Sequence, residues 1–318
     1  MAQRILDPTQ IETLTQRSIP RVRLPDRARV FAQRAARLRQ LSETSPIGGY
    51  LEMLARIADA QQRALATFDP VLPDAARITQ AREHGMPPLH APGWPRDARW
   101  LGVVRALADA AAAAPQLPDA LADLCARLRG ADDGWLDDQA DALLAGRDRA
   151  VDAAAAPFVT AALQVHWTAL TAPFDADAVA LLDVPGLCPL CGALPIASIV
   201  AAPAPYHGYR YLHCSLCATE WHMVRVQCSH CGANGKDIAY RYLEQEEGAA
   251  TGEGGATAVR AETCEQCQGY RKIVYQEKDA RVEPLADDVA SVTLDLMLAE
   301  TGYHRINANP LLWQAAED

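Results

Sequence analysis

Four C-x-x-C pairs fall between residues 188 and 267 of this 318-residue chain: Cys188/Cys191, Cys214/Cys217, Cys228/Cys231 and Cys264/Cys267. They use eight of its nine cysteines. Two thiolates three positions apart in a tight knuckle grip one metal ion, and two knuckles complete a tetrahedral four-cysteine site. Four knuckles therefore predict two metal ions per chain, with these eight residues as the ligands. Small metal-bearing units have too little apolar surface to fold without their ion, so this stretch should be built around its metals.

Composition narrows the setting. Half of the residues are hydrophobic, enough for a core, yet no run reaches the roughly 18 apolar residues of a membrane span. Met1 to Pro20 mixes charged and polar residues with single aliphatics. It lacks the basic stretch followed by an apolar stretch that marks a secretory signal. The expectation is a cytoplasmic protein, where thiols stay reduced and cysteine pairs hold metal rather than disulfides. The formal net charge is −10, and residues 181–318 carry most of it, with 10 Lys/Arg against 18 Asp/Glu. Nucleic-acid binding depends on clustered Lys and Arg, so an acidic metal-binding half argues against such a partner.

The length suits two or three domains, and the chain reads as an α+β protein. Residues 1–180 form an all-α helical domain. Ser45 and Pro46 suit a helix start, and Ile47, Leu51, Leu54, Ala58, Leu65 and Phe68 recur at helical spacing behind them. An earlier helix opens near Pro25 and Asp26, with Phe31, Ala35 and Leu38 on one face. Others are predicted over 96–114, 118–129, 134–148 and 153–171, punctuated by Pro115, Pro118, Gly130 and Pro157. The proline-rich stretch 70–95 reads as a long connection. Cys125, beside Leu121, Leu124 and Leu128, reads as a small buried apolar residue.

From Pro185 the pattern changes to short segments rich in β-branched and aromatic residues: Ile196–Val200, Tyr209–His213, Trp221–Val226, Ile238–Leu243 and Ile273–Gln276. Each lies beside a knuckle, as in a zinc ribbon or rubredoxin-like unit whose β-strands carry the metal loops. The predicted units are a first four-cysteine ribbon over 181–226 and a second over 227–284. A C-terminal helix and tail follow over 285–318. Asp287 and Asp288 stand at that helix's positive end, Val289, Val292, Leu296 and Ala299 form its face, and Gly302 ends it. The acidic, glycine-rich stretch Glu244–Ala258 reads as a hairpin tip.

The knuckles repeat. Cys188-Pro-Leu-Cys191-Gly192 and Cys228-Ser-His-Cys231-Gly232 share a C-x-x-C-G form that Cys214-Ser-Leu-Cys217 and Cys264-Glu-Gln-Cys267 lack. A glycine there permits the positive φ that turns backbone N–H groups towards the sulfurs. The two-unit repeat points to sequential pairing, 188/191 with 214/217 and 228/231 with 264/267, though spacing alone leaves an interleaved pairing open. Four-sulfur ligation suits zinc or a single iron of the rubredoxin type. A closed four-thiolate site has no open position for substrate, so no catalytic role is expected of it. His213, His222 and His230 lie close to cysteines but would be surplus as ligands. Tyr209, Tyr211 and Trp221 read first as a ribbon core, and as a partner-docking patch otherwise.

Several stretches resemble the FdhE family of formate dehydrogenase accessory proteins. The segments Tyr211-Leu-His-Cys214, Glu220-Trp221-His222, Tyr275-Gln-Glu-Lys-Asp279, Ala286-Asp287-Asp288 and Asn309-Pro310-Leu-Leu-Trp313 carry the likeness, over about residues 185–313. A weaker match covers Ser45-Pro46 and Gly48-Gly49-Tyr50-Leu51. The glycine-rich insertion near 248–257 departs from the family pattern. The resemblance implies paired rubredoxin-like modules with iron as the metal. It also implies a cytoplasmic accessory protein rather than an enzyme, needed for active respiratory formate dehydrogenase and bound to its catalytic subunit. From the residues alone, a nucleic-acid-binding zinc ribbon and a rubredoxin-like electron carrier remain the rival readings.

Overall fold

A computed structural model describes residues 19–202, 206–241 and 258–312. The readings placed on Met1–Ser18, on the glycine-rich tip up to residue 257, on Tyr242 and Leu243, and on Trp313 lie outside these residues. The helical layer comprises α1 (Val30–Ser42), α2 (Gly48–Thr67), α3 (Ala75–Glu83), α4 (Arg99–Ala112), α5 (Asp119–Arg129), α6 (Asp133–Leu144) and α7 (Ala156–Thr171). Every residue of α7 is buried, including its polar Thr160, Gln164, His166, Thr168 and Thr171. Helices α2, α4 and α6 pack around it. Leu51, Leu54, Ala58, Leu65 and Phe68 are buried as their spacing predicts, and Cys125 is fully buried in the same core.

The connection over 70–95 is more ordered than its prolines suggest. It contains α3, whose first turn is capped by the Asp74 carboxylate accepting from the Arg77 N–H at 2.7 Å. Its later part lies along the first cysteine knuckle, where Leu89 N–H donates to the Leu190 carbonyl and Ala91 N–H to that of Cys191, both at 2.9 Å.

The strands are β1 (Val22–Arg23), β2 (Pro195–Val200), β3 (Arg210–Cys214), β4 (Glu220–Met223), β5 (Ile238–Arg241), β6 (Val259–Cys264), β7 (Gly269–Tyr275) and β8 (His304–Arg305). They form one sheet in the order β1-β4-β3-β2-β7-β6-β5, with β8 also paired to β7. Each ribbon is an antiparallel unit. The two join where β2 and β7 run parallel, placing Ser198 opposite Ile273 and Val200 opposite Tyr275. Both strands are buried along their whole length. Sharing a sheet gives each ribbon the apolar cover it lacks alone. Strand β6 escapes the sequence pattern because Arg260, Glu262 and Thr263 interrupt its apolar residues, and Glu262 is instead buried against Arg210 at 2.8 Å.

The C-terminal helical segment is broken in two, α8 (Pro284–Ala290) and α9 (Val292–Ala299). At the break the Ser291 hydroxyl donates back to the Asp287 carbonyl at 2.7 Å, a contact that bends helices. The face expected of one continuous helix is displaced as a result. Val289, Leu294 and Leu298 are buried, whereas Leu296 is 64% exposed.

Candidate metal centres

Each knuckle with a glycine closes on itself through the same backbone bonds. Cys188 N–H donates to the Ala193 carbonyl at 3.0 Å and Gly192 N–H to that of Cys188 at 2.9 Å. In the second ribbon Cys228 N–H reaches the Ala233 carbonyl at 2.7 Å and Gly232 N–H that of Cys228 at 3.1 Å. Gly192 and Gly232 adopt φ of 76° and 78°, as the C-x-x-C-G form predicts. The knuckles without glycine also turn left-handed after their second cysteine, with Ala218 at φ 57° and Gln268 at φ 53°. Side chains with a Cβ hold this conformation at a cost of about 1–2 kcal/mol. Backbone N–H groups within the knuckles point at sulfur. Leu216 and Cys217 both point their N–H at Cys214 Sγ from 3.4 Å, and His230 points its own at Cys228 Sγ from the same distance.

The eight thiols gather in two groups, Cys188/Cys191/Cys214/Cys217 and Cys228/Cys231/Cys264/Cys267, with the sulfurs of each within 4.8 Å of one another. This is the sequential grouping. In the first group Cys188 lies 3.6 Å from Cys217 and Cys191 lies 3.5 Å from Cys214. In the second, the separations are 3.9 Å for Cys228–Cys267 and 3.6 Å for Cys231–Cys264. A disulfide needs about 2.05 Å. A metal–sulfur bond of about 2.3 Å gives an ideal tetrahedron an edge of about 3.8 Å. The sulfur separations are thus of the size that four ligands around a single zinc or iron ion require.

Thiol chemistry agrees with that fit. Burial pushes the Cys188 and Cys191 thiols well above the usual range. Cys217 is equally buried, yet hydrogen bonding with Cys188, Cys191, Cys214 and the Thr219 hydroxyl, whose oxygen lies 3.2 Å from its sulfur, outweighs burial and holds it well below that range. The second group repeats the split. Burial raises Cys228 and pushes Cys267 up to about 12, while contacts with Ala233, Cys264, Cys228 and Cys267 outweigh burial at Cys231 and lower it. A divalent ion supplies the charge that lets all four ionise.

Sequence models of the FdhE N-terminal, central and C-terminal domains match residues 19–183, 187–225 and 226–312. The chain belongs to the FdhE family. It is 41% identical over 318 residues to an FdhE homologue of Pseudomonas aeruginosa, spanning all of both chains. It is 37% identical over 303 residues to protein FdhE of Escherichia coli strain K12 / DH10B, covering 95% of this chain and 94% of that protein. The crystal structure of the FdhE protein from Pseudomonas aeruginosa superposes with a TM-score of 0.79, covering 92% of this chain and 99% of that one at 41% identity.

The segments that carry the FdhE likeness occupy structural positions. Trp221 is 2% exposed and its indole N–H donates to the Pro185 carbonyl at 2.8 Å, which places it in the core rather than on a docking surface. His213 Nδ1 lies 3.0 Å from Glu220 Oε1, and Glu220 also pairs with Arg23 of β1 at 2.8 Å. Asp279 and Asp287 both pair with Arg37 of α1, at 2.7 and 2.6 Å. Glu283 pairs with Arg34 at 3.0 Å. Asp288 is fully buried and meets Arg305 at 2.5 Å, Asn309 at 2.6 Å and Lys272 at 3.7 Å. These carboxylates fasten the C-terminal segment to both the helical layer and the sheet. Sequence reasoning assigned Asp287 and Asp288 to a helix dipole and missed their partners, which lie up to 250 positions away. Among the described residues, no helix is long and apolar enough to cross a membrane.

Proposed function

We propose that this chain is a cytoplasmic accessory protein, not itself an enzyme, that makes a respiratory formate dehydrogenase active by binding its catalytic subunit. Membership of the FdhE family supports this reading, and one observation carries the chemistry: eight thiols gathered in two groups of four on either side of the β2–β7 join of a single sheet. In this reading Cys188, Cys191, Cys214 and Cys217 hold one ion, and Cys228, Cys231, Cys264 and Cys267 hold the other. The ions are zinc or iron, with iron favoured by the likeness to the FdhE family. Such ions hold the knuckles in place, and iron adds one-electron chemistry. A working division into residues 1–180, 181–226, 227–284 and 285–318 accompanies the proposal. The helical layer and sheet together then present the docking face, with no part assigned to nucleic acid.

Co-purification tests it. Tagged full-length chain, expressed with the catalytic subunit of a formate dehydrogenase, should retain that subunit. A strain lacking the chain should lose formate respiration. Failure to retain the subunit, together with intact formate respiration in the deletion strain, would defeat the proposal.

A further inference from the structure

The two cysteine groups differ in how far a reagent must travel to reach them. Cys188, Cys191, Cys214 and Cys217 are each no more than 1% exposed. They belong to the continuous apolar core that also holds Leu89, Trp167 and Leu170 of the helical layer. Residues 89–91 are bonded across the first knuckle, so its sulfurs become accessible only when sheet and helical layer part. The second group lies across the β2–β7 join, where β6 ends and β7 begins. Cys228 and Cys264 are 3% and 2% exposed, but Cys267 is only half-buried and Cys231 is exposed. Its local core is small, with Ala233 buried and Ile238 packed against it.

Exchange at a closed four-thiolate site begins when an incoming donor reaches the ion or an electrophile reaches a sulfur, so rate follows access. We infer that the Cys228/Cys231/Cys264/Cys267 centre is the exchangeable site of this protein. Cys231 Sγ is the point of entry for soft-metal chelators, incoming thiolates and thiol-alkylating electrophiles. The Cys188/Cys191/Cys214/Cys217 centre is locked into the core and serves the fold. The inference rests on the reading that both groups hold metal. It adds which of the two ions is open to traffic, a distinction that the repeat of near-identical knuckles does not reveal.

The zinc-loaded full chain, mixed with excess 4-(2-pyridylazo)resorcinol, should release one equivalent of zinc quickly. The second should leave at least about 100-fold more slowly, because its release waits on opening of the core. A brief pulse of N-ethylmaleimide, read by peptide mass spectrometry, should label Cys231 first and the first group last. In that reaction the cysteine sulfur bonds to the maleimide double bond, and a proton from water completes the adduct. Cys231→Ser should remove the fast equivalent and leave the slow one unchanged. The labelling order in the wild type decides the matter if that variant folds poorly. Equal release rates for two bound zinc ions, or labelling of Cys188 or Cys214 as early as Cys231, overturns the inference alone. Uptake of fewer than two ions overturns it together with the metal reading beneath it.

Discussion

His166 gives a quantitative check on how the helical core is built. It lies on α7, 1% exposed, with its ring edge-on to Phe68 at 5.6 Å and to Trp167 at 4.8 Å. Neither ring nitrogen has a hydrogen-bond partner among the described residues. Burial drives its pKa from 6.5 down to about 4, the attraction of Asp97 recovering little. The unfolded chain therefore takes up a proton below about pH 6.5, while the folded chain resists until about pH 4. Folding stability attributable to this residue is constant above that window and falls as the pH drops through it. At about 1.4 kcal/mol per pH unit, the loss at pH 5 is about 2 kcal/mol. Urea unfolding of wild type and His166→Leu, at about pH 7.5 and about pH 5, measures it. Packing differences introduced by leucine act equally at both pH values, and so does proton competition at the thiols, which both proteins share. The leucine variant should lose about 2 kcal/mol less than wild type between the two conditions. Parallel losses would show that His166 is not held neutral by burial, and the reasoning would fail.

Lys272 and Arg305 also pair with Asp295, at 2.7 and 3.1 Å. Asp288→Asn leaves them to share that carboxylate alone, and breaking a buried ion cluster in this way costs about 3–5 kcal/mol; an unchanged thermal midpoint would contradict the fastening role given to Asp288. Gln268→Gly relieves an exposed left-handed residue and should stabilise the second ribbon by up to about 1 kcal/mol. Ala218→Gly relieves the same strain but removes a buried methyl worth about 0.8 kcal/mol, so it should be close to neutral; denaturant midpoints of the two variants distinguish these outcomes. Trp221→Ala should cost about 3–5 kcal/mol as a core truncation. If that variant keeps full stability and loses only binding to the formate dehydrogenase subunit, the burial of Trp221 does not matter as described.

What the sequence revealed follows from the distance over which each interaction acts. The knuckles were legible because their ligands and turn residues lie within five positions. The helices over 99–112, 119–129 and 156–171 were legible because their apolar spacing is local as well. The strain at Ala218 and Gln268 was readable only by analogy with Gly192 and Gly232, since neither residue advertises a left-handed turn. Strand β1 was not legible: two residues from before the helical layer cross to pair with Glu220 and Trp221. The parallel β2–β7 join was hidden too, because antiparallel ribbons give no sign of which outer strands will meet. The buried pairs of Arg34 and Arg37 with Glu283 and Asp287 look in sequence like ordinary surface charges. Only the fold removes them from water. That same burial separates two cysteine groups whose local sequences are nearly interchangeable.

Metal stoichiometry tests the central claim most directly. Anaerobically purified chain, analysed by inductively coupled plasma mass spectrometry against protein concentration, should carry two ions of zinc or iron. The double substitution Cys228→Ser/Cys231→Ser should carry one and keep the helical layer folded by circular dichroism. Sequential pairing requires this result, because Cys188, Cys191, Cys214 and Cys217 would remain a complete tetrahedron. A wild-type value near one, or a double variant that loses both ions while its helices stay folded, would contradict the account.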